Sequence, residues 1–406
     1  MSTPAARRQG SSTDSTAPSP FNTLAVLVML QGTMDGSDGT VNGHTDGHTN
    51  GTVDQVLPAT MKALWYEKPL DYKIVQVPLP EVGEHEVLVK ISACGVCATD
   101  LHIHLGDMSK EFSASYPLIP GHEAVGTIVQ VGSKVSRLRV GQKVACGANS
   151  PCNDCYFCLK GELLLCENMT VHGVRAPGGF AEYCAFPSCK AIPYNNLTDL
   201  EACLCEPASC AVQMTNRIAP RPGDSVLVFG AGPAGLLLAQ LLGQNGGYDV
   251  TIVSLGGAKL DRARALNVAT TYVELNGNGG DAAILDEMRS RQTPAGWDVV
   301  IDATGVEKVI ENALSYVRRG GKLAIFGIAS CEARVTWAPT KILGDQITII
   351  GGVSEVIRFP TAVHYLDSGR VKVKGIANKK FTLEQWAECL DSVKHPDTVK
   401  PVIVFE

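Results

Sequence analysis

VLVFGAGPAG, residues 226–235, runs from a short apolar stretch straight into three glycines at GxGxxG spacing, Gly230, Gly232 and Gly235, and on into the helical pattern GLLLAQLLGQ. In that setting each glycine has a mechanical reason. The first closes a tight turn, the second lets backbone approach a pyrophosphate, and the third lets the helix pack closely on the strand, while the helix N-terminus faces the anion. Glycines at strand-to-helix turns also serve purely structural turns, so the flanks decide. From about Pro222 onward, apolar strands alternate with helical stretches: SVLVFG, DVTIVS, KLDRARAL, WDVVIDATG and GKLAIFGI. Such alternation predicts an α/β protein with a parallel, doubly wound sheet, the Rossmann arrangement, and a dinucleotide cofactor at the glycine turn.

An acidic residue about 20 residues after the glycines ordinarily holds the adenosine ribose hydroxyls in this arrangement. Here DVTIVS ends at Ser254, followed by Leu255, Gly256 and Gly257, and Asp249 stands five residues too early. A carboxylate at the tip repels a 2′-phosphate, whereas a serine hydroxyl donates to one and Lys259 neutralises it as a point charge. The expected cofactor is NADP, with NAD left open; a plain strand-end role for Ser254 is the competing reading.

Upstream, KALWYEKPLDYKIVQVPLP and HEVLVKISACGV read as short strands, and EAVGTIVQVGSKVSRLRVGQKVA as more strands separated at Gly126, Gly132 and Gly141. This is the pattern of a partly open β-barrel. Its loops hold the chemistry. CGVCATDLH supplies Cys94, Cys97, Thr99, Asp100 and His102, and GHE supplies Gly121, His122 and Glu123. Thiolate, imidazole and carboxylate together suit zinc, and three protein ligands with an open fourth position make a catalytic site. Cys94 and Cys97 also fit a redox pair, but no thioredoxin-like pattern surrounds them. A second stretch, SPCNDCYFCLKGELLLC at 150–166, puts Cys152, Cys155, Cys158 and Cys166 at intervals of two, two and seven residues. Disulfide knot, redox pair and metal site are the candidates. The chain's 14 cysteines fall in clusters rather than as spread halves, which favours metal.

The 406 residues are 45% hydrophobic and 19% charged, a globular balance with room for about two to three domains. Lys plus Arg number 35 against 41 for Asp plus Glu, a net charge of −6 with no basic run, which argues against nucleic acid or a membrane as partner. Residues 1–60 differ from the rest: Met1–Pro20 is rich in Ser, Thr, Pro and Ala, and Gly32–Thr52 scatters Gly among Thr, Asp, Asn and His. That composition predicts a disordered extension, in which His44 and His48 are solvated linker residues rather than a metal tract. Within it, LAVLVML at 24–30 is far short of the ~20 residues of a membrane span. It does reach the ~7–15 of a secretory core, but Arg7 and Arg8 lie well away from it and no small-x-small cleavage site follows. The expected location is cytoplasmic, with secretion through this segment as the alternative.

In order along the chain, GVCATDLHI, PGHEAVGTIVQVG, the four-cysteine loop, CEPAS and VLVFGAGPAG make Met61 to Glu406 resemble a zinc-dependent medium-chain alcohol dehydrogenase. The resemblance implies a GroES-like catalytic domain from 61–208 and 353–406 around a Rossmann domain at 209–352. It implies a structural zinc on Cys152, Cys155, Cys158 and Cys166, and a catalytic zinc on Cys97 and His122 with Glu123 or Glu206 as the oxygen ligand, directly or through the zinc water. Cys205, next to Glu206, is assigned to core packing. By the same resemblance Thr99 takes the substrate proton, His102 relays it towards solvent, and Asp100 orients His122. Glu206 followed by Pro207 matches the polyol dehydrogenase branch, which implies oxidation of a sugar alcohol, D-arabinitol in particular, to its ketose, in a homo-oligomer. One stretch departs from the pattern. GGVSEVIRFP at 351–360 stands where sorbitol-preferring members place an Arg and an aromatic, and Arg358 is its only cation. The alternatives are a dehydrogenase of another secondary alcohol, such as an amino-acid alcohol, and a non-catalytic zinc and nucleotide binding protein; intact Cys97, Thr99, His102, His122 and Glu206 argue against the latter.

Overall fold

The computed structural model describes residues 56–109, 113–277 and 281–406, so the apolar run at 24–30, His44, His48 and nearly all of the expected extension lie outside the described residues. The alternating segment folds into a six-stranded parallel sheet in the spatial order Thr271–Leu275, Asp249–Leu255, Ser225–Phe229, Trp297–Asp302, Val317–Ile325, Thr348–Gly351. The chain begins at the middle strand, builds to one edge, crosses back and builds to the other. Strand order therefore reverses between Ser225–Phe229 and Trp297–Asp302, the point at which doubly wound sheets bind ligands at their carboxyl ends. Val226, Leu227, Val228, Val299, Val300 and Ile301 are all fully buried, as central strands covered on both faces require.

The second sheet has seven strands: Ala377–Phe381, Lys400–Val404, Glu86–Gly95, Glu123–Val131, Lys143–Cys146 and Ala191–Pro193 in spatial order, with Tyr183–Pro187 also paired to Glu86–Gly95. All pairings except the first are antiparallel, and the sheet has free edges, so it is a partly open barrel. Two of its strands come from the C-terminal end of the chain, with Val402 opposite Gly95. Gly126, expected to separate strands, lies inside Glu123–Val131. A Cβ there would stand 2.0 Å from the Lys90 carbonyl oxygen, so this glycine permits a close crossing beside the irregularity at Ile91 and Ala93. Residue 208, expected to end the first part, falls within the continuous helix Cys205–Ile218. Ala211, Met214 and Ile218 of that helix share a core with Val226 and Val228. Among the described residues no helix is long and apolar enough to cross a membrane.

Candidate active site

Strand pairing assembles the site. Glu86–Gly95 delivers the chain to Cys97, which caps the helix Ala98–Leu105, and Gly95 lies opposite Glu123 in the antiparallel register, which brings His122 and Glu123 alongside. Ligand atoms of Cys97, His122 and Glu123 all lie within 4.8 Å of one another. Asp100 ties two of them: one carboxylate oxygen accepts from the Cys97 backbone N–H at 2.8 Å, and the other is 3.6 Å from His122 Nδ1. Burial disfavours the His122 imidazolium, but the Asp100 carboxylate and the Cys97 sulfur outweigh it and hold the His122 pKa well above its ordinary value. Thr99 Oγ1 is 3.7 Å from Cys97 Sγ, which places a hydroxyl beside the cluster.

Glu206, in the first turn of Cys205–Ile218, is buried and accepts from the Cys210 thiol at 3.3 Å. Burial pushes its carboxyl up to about 7, with His122 pulling it down and Glu123 pushing it up. It therefore sits in the field of the cluster without belonging to the set within 4.8 Å. Cys205 is buried in the core beside it. One member of the site was not found from sequence. Lys400 forms an ion pair through Nζ with Glu123 Oε1, while Glu123 Oε2 has no hydrogen-bond partner. Burial lowers the Lys400 pKa, but the Glu123 carboxylate more than restores it and the net shift is upward. The available signal was a single cation heading the apolar strand Lys400–Val404. His102, on the same helix as Thr99, has its Nδ1 3.5 Å from Asp107 Oδ2.

The second ligand set is Cys152, Cys155, Cys158 and Cys166, whose sulfurs also lie within 4.8 Å of one another. The Cys152 and Cys166 sulfurs are 3.5 Å apart, and all fourteen cysteines are free thiols, so the loop is no disulfide knot. Backbone N–H groups point at sulfur: Cys155 N donates to Cys152 Sγ at 3.4 Å and Cys152 N to Cys166 Sγ at 3.3 Å. The backbone N–H groups of Asp154 and then Cys155 bring the Cys152 thiol down to about 6, whereas burial pushes Cys158 up to about 12. Four convergent sulfurs with mixed proton affinities fit a tetrahedral zinc, which would replace the protons.

At the sheet, Gly230 has φ 103° and a Cβ on Gly235 would fall 1.9 Å from the Gly230 carbonyl oxygen, so the first glycine makes the turn and the third permits the packing. Gly232 caps the helix Pro233–Leu242, with open space where a side chain would be. Asp302, at the end of the neighbouring strand, accepts from Thr304 N at 3.1 Å and Gly305 N at 3.1 Å and so fixes the turn that follows it. Ser254 is one residue short of the end of Asp249–Leu255, and Lys259 lies in the first turn of Ala258–Leu266, half-buried, its pKa lowered by burial. No carboxylate pairs with Lys259 among the described residues. Sequence reasoning missed Glu274, which stands beside Ser254 in the parallel register. Its carboxylate lies 2.4 Å from where a Gly256 Cβ would be, and Arg264 binds it at 2.9 Å.

A glycine turn at a sheet switch point and two cysteine-containing ligand sets in one chain are the parts of a metal-dependent nicotinamide oxidoreductase. Residues 83–196 match the Alcohol dehydrogenase GroES-like domain and residues 233–367 the Zinc-binding dehydrogenase family. D-arabinitol dehydrogenase 1 of Uromyces fabae is 46% identical over 346 residues, 85% of this chain and 97% of that protein. Sorbitol dehydrogenase of Bacillus subtilis (strain 168) is 30% identical over 340 residues, 82% of this chain and 94% of that one. A solved structure from Sinorhizobium meliloti 1021, assigned as a zinc-binding dehydrogenase and bound to NADP, superposes with a TM-score of 0.77 at 26% identity, covering 86% of this chain and all of that one. The chain belongs to the zinc-dependent medium-chain alcohol dehydrogenases, in their polyol dehydrogenase branch.

Proposed function

We propose that this enzyme interconverts D-arabinitol and its ketose with NADP, and that residues 61–208 with 353–406 carry the metal chemistry while 209–352 hold the nucleotide. The observation that carries the reading is the convergence of Cys97, His122 and Glu123 with the Thr99 hydroxyl beside them. The donor set suits zinc: one soft sulfur, one imidazole backed by Asp100, and a carboxylate with one oxygen unclaimed. In this reading Glu123 would be the oxygen ligand, and Glu206, which feels the charge of His122, would stand beside the metal without binding it. Zinc supplies Lewis acidity to a substrate hydroxyl, and the nicotinamide supplies the hydride acceptor. The chain's own part is to hold and move a proton: Thr99 accepts it from the substrate hydroxyl and His102 passes it outward. Cys152, Cys155, Cys158 and Cys166 fix their loop around a second zinc.

The preference for NADP is supported by the half-buried Lys259 without a carboxylate partner and by Glu274, whose charge Arg264 already neutralises. The match to D-arabinitol dehydrogenase 1 over nearly the full length of that protein supports the pentitol. Initial rates with a panel of pentitols and hexitols, each with NADP and NAD, test the proposal. A higher kcat/KM for a hexitol than for D-arabinitol would overturn the substrate, and a preference for NAD would overturn the cofactor.

A further inference from the structure

Asp107 joins two parts of the chain more than two hundred residues apart. Its Oδ1 accepts from the Ser330 hydroxyl at 3.1 Å, the Cys331 backbone N–H at 3.2 Å and the Cys331 thiol at 3.0 Å. Its Oδ2 faces His102 Nδ1 at 3.5 Å, a ring atom that is buried and has no hydrogen-bond partner. Asp107 is also pinned to the helix it follows, because its own N–H donates to the His102 carbonyl at 3.0 Å across the left-handed Gly106. Ser330 and Cys331 lie beyond the carboxyl end of Val317–Ile325, on the edge of the parallel sheet where a dinucleotide binds. The Asp107 carboxylate pushes the Cys331 thiol up to about 11, so the sulfur stays protonated and remains a donor. One carboxyl group thus grips the nucleotide side of the molecule with one oxygen and faces the histidine with the other.

We propose that Asp107 is a positioning residue that sets the His102 ring for proton transfer and makes that setting depend on the loop carrying Ser330 and Cys331. The inference rests on the reading of His102 as the proton outlet. A purely structural tie needs only an acceptor for the three loop donors, which an amide oxygen also provides. Orientation of the histidine needs the second oxygen, which Asp107→Asn turns into a donor.

The test is a double-mutant cycle of Asp107→Asn with His102→Gln in the full chain, at saturating cofactor and with the polyol that is turned over fastest. Asp107→Asn is expected to lower kcat about tenfold, as loss of a carboxylate partner to a working histidine does, with KM for the polyol and zinc content close to wild type. In the His102→Gln background the same substitution is expected to have no further effect. Wild-type kcat in Asp107→Asn, or losses that multiply in the double variant, would overturn the proposal. Wild-type kcat in His102→Gln would instead remove the underlying reading of His102. The loop end is checked by Ser330→Ala with Cys331→Ala, whose kcat loss must likewise vanish in the His102→Gln background; an unchanged kcat overturns the link to the loop.

Discussion

Lys400 and Glu123 form an ion pair out of reach of solvent, joining the C-terminal strand Lys400–Val404 to the strand that begins at the candidate metal centre. Its side chains are 4% and 0% exposed, so neither charge can turn to water if its partner is lost. A buried charge stripped of its partner costs about 3–5 kcal/mol. In metal-free protein, where no zinc offsets Glu123, Lys400→Met is therefore expected to lower unfolding stability by about that amount in denaturant titrations, and Lys400→Arg to lower it far less. Equal losses in the two variants would show that shape, not charge, matters at this position.

The two ligand sets predict about two zinc ions per chain. Cys158 is buried at the centre of the four-sulfur loop, so Cys158→Ser is expected to remove one zinc and lower thermal stability while the Cys97 and His122 set keeps its own. Metal analysis of gently purified wild-type protein that finds one zinc or none contradicts the two-site arrangement.

Thr99→Ala is expected to lower kcat by roughly a hundredfold or more, the usual worth of a positioned proton acceptor, with zinc content and cofactor affinity unchanged. The Thr99 hydroxyl stands beside the Cys97 sulfur, 3.7 Å away. Unchanged turnover would show that water or another group takes the proton.

What could be read in the sequence and what could not divide along a physical line. The glycine turn, the four-cysteine loop and the Cys97, Thr99, Asp100, His102, His122 constellation depend on close spacing or on residue chemistry with few other uses. The strands Thr271–Leu275 and Thr348–Gly351 are the outer strands of the sheet and leave a weak signal: Glu274 interrupts the apolar run of the first, and the second is only four residues long. Lys400 and Asp107 were invisible for another reason. Each acts across more than two hundred residues of chain, on Glu123 and on Ser330 and Cys331, and neither local pattern nor composition reports a contact at that separation. Gly126 was misread because a glycine that permits close strand crossing looks in sequence like one that ends a strand.

Metal removal should depend on pH in a defined direction. In the metal-free chain, His122 is held well above its ordinary value of 6.5, and burial raises Glu206 from 4.5 to about 7. Both groups therefore hold protons more tightly in the fold than in the unfolded chain. Their contribution to stability is present at low pH; that of Glu206 is lost between 4.5 and about 7, and that of His122 as pH rises through its elevated folded value. Zinc needs the His122 imidazole deprotonated, and its charge favours the ionised Glu206 carboxylate nearby, so its binding strengthens as pH rises. The gap in melting temperature between zinc-loaded and chelator-treated protein is expected to widen from about pH 5 to about pH 8. A gap that stays flat or narrows would mean that these buried groups do not titrate with the metal.

Cofactor choice turns on the tip of Asp249–Leu255. Ser254 offers a hydroxyl and no charge, Lys259 offers a half-buried ammonium, and the nearby Glu274 is already held by Arg264. In the proposed reading, Lys259 is the charge that meets the extra phosphate of NADP. Ser254→Asp places a carboxylate beside that phosphate and provides the pair of acceptors that the ribose hydroxyls of NAD use. The ratio of kcat/KM with NADP to that with NAD is expected to fall by at least about tenfold in the variant, since one uncompensated like-charge contact costs a kcal/mol or more at short range. Arg264→Ala, which frees the Glu274 carboxylate, should move the ratio the same way by a smaller factor, because Glu274 reaches the tip from the next strand. A wild type that already prefers NAD, or a ratio indifferent to Ser254→Asp, would mean that the adenosine ribose does not lie against Ser254.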